Sequence, residues 1–172
     1  MDNNYPKELL WNGREPDQVF EPTEELYYRV EPHVDKATLA SQIRCPNTSV
    51  NRGKYSKPVH VLYAQYPKFI EWKVYELRVE EIPPKLENGN KKIIEFRIVH
   101  DPLKASPGCD ENYAHSEIHA SSGGLRKKNL PSTVDKAFRE MLSFSMREIP
   151  RSVLFPEHPA QARSPARERA LA

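Results

Sequence analysis

The chain has 172 residues, 38% of them hydrophobic, and its 26 Lys and Arg against 24 Asp and Glu leave a formal net charge of +2. That length holds one domain with a real core. The near balance of charge disfavours a dedicated nucleic-acid binder, whose phosphate partner calls for a larger basic excess, and no run approaches the ~18 apolar residues of a membrane-spanning helix.

Residues 1–23 are polar and broken by prolines, and form an expected N-terminal arm with Trp11 and Phe20 as anchors. The aromatic run EELYYRVE (24–31) opens a single α+β domain expected to extend to residue 155. DKATLASQI (35–43) has the pattern of a short helix, with Asp35 at its N-cap and Ala40 and Ile43 turned inward. RCPNTSVNRGKYSKP (44–58) has no period and many turn formers, so a loop is expected there. VHVLYAQY (59–66) and FIEWKVYELRVEEI (69–82) are expected strands. In the second, the alternation slips from Ile70, Trp72 and Val74 to Tyr75, Leu77 and Val79, as a bulge would make it.

Asn88-Gly89 marks a hairpin turn. KKIIEFRIVH (91–100) then alternates cleanly, with Ile94, Phe96 and Ile98 on one face and Glu95 and Arg97 on the other. Residues 113–120 supply a further strand, and SSGGLRKKNLP breaks the chain. STVDKAFREMLSFSMREI (132–149) keeps the 3.6-residue stripe of a helix through Val134, Ala137, Phe138, Met141, Leu142 and Ile149, with Ser132 and Asp135 as a capping-box-like start. Residues 156–172 are poor in core-forming types and are expected to be a disordered tail. Strands first, one long helix last and no βαβ alternation predict an α+β fold. Its sheet is expected to be mostly antiparallel, of about five strands, with the helix 132–149 packed on one face.

Within NYAHSEIHA (112–120), a strand puts His115, Glu117 and His119 on one face and Ile118 with two alanines toward the core. Same-face neighbours lie about 6.5–7 Å apart. Two imidazoles and a carboxylate at that spacing suit zinc, iron or manganese, with His100 of the preceding strand as a further ligand. The same pattern also describes a solvated polar strand face. The segment SVNRGKYS (49–56) gathers Ser49, Asn51, Arg52, Lys54 and Tyr55 around a glycine. A guanidinium, an amide and the backbone donors of a glycine turn suit the phosphate or carboxylate of a nucleotide or other anionic small molecule. Nucleophilic catalysis finds no motif, since Gly-x-Ser-x-Gly is absent and neither Cys45 nor Cys109 has a context that lowers a thiol pKa. Two thiols without CxxC spacing and a polar opening without a signal-type apolar stretch lead to the expectation of a soluble cytoplasmic protein.

Arg29 in LYYRV, Ser49 in NTSVNR and Glu117 in HSEI together resemble, loosely, the arrangement of ADP-ribosyltransferase-fold proteins. There an Arg on an early strand, a Ser on a second and a Glu on a later one surround NAD in a cleft between two sheets. The Ser-Thr-Ser triplet of that family is absent here, and His115 stands where its arginine-modifying members carry Glu or Gln. The resemblance implies that Glu117 hydrogen-bonds the ribose and stabilises an oxocarbenium-like transition state through charge placed where positive charge develops. His115 would be its helper, with Arg29 or Arg52 on the phosphates. The sequence identifies no cofactor. It predicts first a small accessory module that contacts a partner protein. The alternatives are the nucleotide- or NAD-handling enzyme and a small metalloprotein built on His115, Glu117 and His119.

Overall fold

The aromatic and β-branched run ELYYRV forms strand β1 (Glu25–Val30), around which the remaining strands assemble. The computed structural model describes residues 5–65 and 68–156. Its other strands are β2 (Thr48–Arg52), β3 (Lys73–Arg78), β4 (Lys85–Glu87), β5 (Ile93–His100), β6 (His115–Ser122), β7 (Leu125–Arg126) and β8 (Arg147–Ile149). The helices are α1 (Leu39–Gln42), α2 (Ser132–Ser145) and α3 (Arg151–Leu154). The result is one antiparallel sheet of eight strands in the order β4-β5-β6-β2-β1-β3-β8, with β7 paired to β6. No helix among the described residues is long and apolar enough to cross a membrane.

Alternation along each strand divides the side chains between two faces. Leu26, Val50, Leu77, Phe96, Ile118 and Ala120 pack on one side against Val134, Phe138 and Leu142 of α2. The Phe138 ring stacks on Phe96 at 4.1 Å between centroids. Each such fully buried large side chain contributes roughly 1.5–3 kcal/mol. On the opposite face Tyr27, Val74 and Ile149 meet Val61, Leu62 and Leu154. This second cluster covers β1, β3 and β8. Over β2, β6 and β5 the same face carries Ser49, Glu117, His119 and Arg97 instead.

The sheet has more strands than the sequence pattern predicted, for several local reasons. β2 lies inside the expected loop 44–58. Thr48 and Val50 reach the interior, while the buried Asn51 and Arg52 are polar residues satisfied by specific partners, so the segment shows no apolar alternation. The expected strand 59–66 is a one-turn 3-10 helix over Pro58–Leu62. Pro58 fixes φ and removes a ladder donor, which favours a helical start over pairing. Residues 66 and 67 lie outside the described set.

The phase slip in 69–82 is no bulge. Tyr75 and Leu77 face the α2 side and Val74 the other, so β3 is buried on both faces, while Ile70 and Trp72 precede it. α1 is shorter than 35–43, because Asp35 Oδ1 accepts the Thr38 N–H at 2.9 Å and closes a turn ahead of it. α2 stops at Ser145, and Met146 is extended, so that Ile149 joins β8 beside Val74 rather than the helix stripe. Pro131 takes the N-cap position with no side-chain cap bond, and Asp135 pairs with Arg139 at 3.0 Å. The expected tail, apart from Pro156, lies outside the described residues.

Residues 5–23 run against the ends of β5 and β6. The Tyr113 N–H donates to Leu9 O at 2.8 Å, and the buried Leu9 and the edge of Trp11 pack there. Phe20 lies 3.8 Å from the Arg52 guanidinium carbon.

Candidate functional site

β2 lies between β1 and β6, and its register decides which polar side chains meet. Ser49 pairs with Glu117 and Asn51 with His115 across β2 and β6. Tyr27 pairs with Asn51 across β1 and β2. Arg29, two residues beyond Tyr27, falls on the same side of the sheet by alternation. Ser49, read from sequence as part of a loop, is therefore a strand residue directly opposite Glu117. Arg29, Ser49 and Glu117 share one face of three adjacent strands.

The Glu117 carboxylate is held by a single oxygen. His119 Nε2 lies 2.8 Å and Arg126 Nη2 3.0 Å from Oε2, and Arg126 also donates to Asn47 Oδ1 at 2.9 Å. Oε1 accepts no hydrogen bond among the described residues, so it is available to a ligand hydroxyl. Arg29 has a complementary surplus of donors. Its guanidinium lies 4.2 Å from the Phe69 ring centroid and donates to Val61 O at 3.2 Å, and it forms no ion pair among the described residues. Burial pushes its pKa below the usual arginine value, as expected of a desolvated cation.

Asn51 has the second unmet donor. The Ala114 N–H donates to Asn112 Oδ1 at 3.1 Å, and Asn112 Nδ2 donates to Asn51 Oδ1 at 2.9 Å. That chain fixes the Asn51 amide orientation and leaves its buried Nδ2 without a partner among the described residues. Beside it, His115 Nδ1 lies 2.6 Å from Asp101 O. A carbonyl can only accept, so Nδ1 carries a proton.

The other residues singled out from sequence lie elsewhere. Arg52 points to the α2 side of the sheet, with its side chain wholly buried. Nε and Nη2 donate to the Glu24 carboxylate at 2.7 Å each, Nη2 to Val19 O at 2.6 Å, and Nη1 to Asp17 O at 2.5 Å. Lys54 Nζ and the Tyr55 hydroxyl both donate to Asp17 Oδ2, at 2.7 and 2.5 Å. The Lys54 bond foremost holds the Asp17 carboxyl well below the usual carboxylate range. These three side chains bind the N-terminal segment and are not grouped around Glu117.

The structure also does not gather His115, Glu117, His119 and His100 into one coordination sphere. His100 pairs with Ser116 and so lies on the other side of the sheet from Glu117. Its Nδ1 accepts the Asp17 N–H at 2.8 Å and its Nε2 donates to Tyr113 O at 2.6 Å, which leaves no lone pair for a cation. Among the described residues no three His, Cys, Asp or Glu side chains converge as metal ligands.

Arg126 escaped the sequence reading, although Gly123 and Gly124 carried a signal. Both adopt positive φ and turn β6 back into β7, which sets Arg126 opposite Ser121 and beside Glu117. Of the thiols, Cys45 is pushed up to about 12, chiefly by burial, and so is a poor nucleophile. Comparison with known proteins returns no family model, no curated protein and no solved structure that matches this chain.

Proposed function

We propose that the protein is an enzyme that binds a nucleotide of the NAD type on the β1–β2–β6 face and acts at its ribose, with Glu117 as the key carboxylate. The observation that carries this reading is the register pair Ser49–Glu117 with Arg29 on the same side. A guanidinium with unspent donors suits a pyrophosphate. The exposed Ser49 hydroxyl and the free Oε1 of Glu117 suit ribose hydroxyls. His119 and Arg126 hold the carboxylate so that its charge faces the positive charge that develops at the anomeric carbon. The bond from the anomeric carbon to the base breaks, the base leaves with the electron pair, and the oxygen of a water molecule forms the new bond to that carbon and loses its proton to solvent.

The test is a thermal-shift screen of the protein and its Glu117→Gln variant against NAD and mononucleotides, followed by chromatography for released nicotinamide. A ligand at ~100 times its Kd adds about 2.7 kcal/mol. The expected result is a shift with NAD and nicotinamide release by the wild type, with release lost in Glu117→Gln. Absence of both a shift and release would overturn the reading.

A second reading, a module that contacts a partner protein, is favoured by the outer side of α2. Phe144 is 87% exposed there, one turn from the exposed Met141. Cross-linking in the producing cells tests it. A cross-linked band lost in Phe144→Glu supports this reading, and identical patterns oppose it.

A further inference from the structure

A cavity of about 330 Å³ lies beyond Gly53, past the end of β2 remote from Ser49. Glu8 and Arg14 of the N-terminal segment, Lys54 and Tyr55, and Lys57 and His60 form its wall. Its size is at the lower end for small-molecule sites. Three features of this wall point to a ligand.

The first is an unspent donor on a buried ring. His60 is only 7% exposed. Its Nδ1 accepts the Lys57 backbone N–H at 3.2 Å, so the proton of the neutral ring sits on Nε2. Nε2 has no hydrogen-bond partner among the described residues, although the ring lines the cavity. Burial lowers the His60 pKa, which favours this neutral, donating form.

The second is a fixed positive charge. The Arg14 guanidinium lies 3.6 Å from the Tyr113 ring centroid. It donates to Trp11 O at 3.3 Å, Glu8 O at 3.0 Å and Leu10 O at 2.5 Å. Carbonyl oxygens orient the group without neutralising it, and Arg14 forms no ion pair among the described residues.

The third is Lys57, exposed at the rim and also without an ion pair among the described residues. Lys54 is already committed to Asp17. Glu8 is the single carboxylate on the wall, so two unneutralised cations outweigh one anion.

We infer that this cavity is an anion site for the phosphoryl group of a small phosphorylated molecule, with the unpartnered His60 Nε2–H as the donor and Arg14 and Lys57 as the attracting charges. Phosphate combines the multiple acceptor oxygens and the charge that such a wall lacks. The site stands apart from Glu117 and does not depend on the NAD reading.

The experiment follows the imidazole signals of the full chain by NMR during titration with inorganic phosphate and, separately, adenosine monophosphate, each at constant ionic strength. The expected result is a saturable shift of the His60 signals and affinity about tenfold weaker in Lys57→Ala. Tighter binding of the nucleotide than of phosphate would show that the cavity also holds the organic portion, and the reverse that the phosphoryl group alone is read. In Glu117→Gln the His60 shift with inorganic phosphate should match that of the wild type, which separates this site from the one on the sheet face. His60→Leu should abolish binding. If that variant fails to fold, the exposed Lys57→Ala change tests the same site through its attracting charge. No saturable shift with either probe, or equal affinity in wild type and Lys57→Ala, would overturn the assignment.

Discussion

Ser49 and Glu117 stand opposite each other on antiparallel β2 and β6, and the carboxylate is tied down through Oε2 alone. A side chain anchored by one oxygen has a fixed direction and a free acceptor, the arrangement in which removal of charge changes chemistry more than folding. Glu117→Gln should therefore lower stability by about 1 kcal/mol or less, since the paired groups keep contact with solvent. The melting temperature should fall by a few degrees at most in calorimetry. A cooperative loss of ten degrees or more would make Glu117 a structural residue.

Arg52 should behave in the opposite way. Its replacement by Met strands the Glu24 carboxylate and the Asp17 and Val19 carbonyls in a dry site, at a cost of about 3–5 kcal/mol. Adding Glu24→Gln removes the stranded charge and should recover part of the loss. Urea unfolding of both single variants and the double variant measures the coupling, and strict additivity would show that the pair does not act as a unit.

His100 and His60 should weaken the fold as the pH falls. Burial is the leading cause that lowers both pKa values below that of a free imidazole. The unfolded chain then binds more protons than the folded one as pH falls below about 6.5, so stability is full above that value and declines toward the folded-state pKa. Each residue adds a slope of up to about 1.4 kcal/mol per pH unit in that window. Asp17 acts lower: its depressed pKa contributes stability that is present above the ordinary carboxylate value and is lost as pH falls through the folded one. Urea midpoints from pH 7.5 to 5 should fall, and His100→Gln should flatten the decline. A flat profile in the wild type would contradict the buried neutral His100.

Two phenylalanines six residues apart on α2 should give opposite results. Phe138 is fully buried against Phe96, and Phe138→Ala should cost about 3–5 kcal/mol. Phe144→Ala should change stability by less than about 0.5 kcal/mol. Thermal unfolding of the pair distinguishes packed from surface positions on a single helix.

Gly53→Ala should also destabilise, by about 1–3 kcal/mol. A Cβ there would meet Glu25 O at 3.0 Å and both Glu25 Cβ and the Tyr27 hydroxyl at 3.2 Å. Equal urea midpoints for the two proteins would show that β1 yields easily.

The mixed, antiparallel character of the fold was legible where burial follows one face. β5 shows Ile94 and Phe96 inside and Arg97 outside because only its α2 side is packed. β2 was not legible, because Asn51 and Arg52 are buried through partners far along the chain, namely Asn112, Glu24 and Asp17. The turn at Pro58–Leu62 misled for the reverse reason, since an apolar run can cover a sheet as well as extend it. Around Glu117, the contact with His119 follows from two-residue spacing along a strand. The contact with Arg126 depends on a glycine turn, and the opposition to Ser49 on a pairing between distant strands, which no local pattern specifies.

The position of β2 has a consequence for how the molecule assembles. β4, β5, β6 and β7 are successive neighbours and can zip from hairpins, whereas β2 must bridge β1 and a strand made much later in the chain. Contacts between distant segments carry the largest loop-closure cost and slow the search for the native state. Closing β2 against β6, like closing β3 against β8, therefore carries a large loop-closure cost, and pulsed hydrogen exchange should show the amides of both seams gaining protection after those of the β5–β6 pair. Ser49, Asn51 and Glu117 come together only where β2 pairs with β6, so the polar face is a product of long-range pairing and cannot be built from β5 and β6 alone.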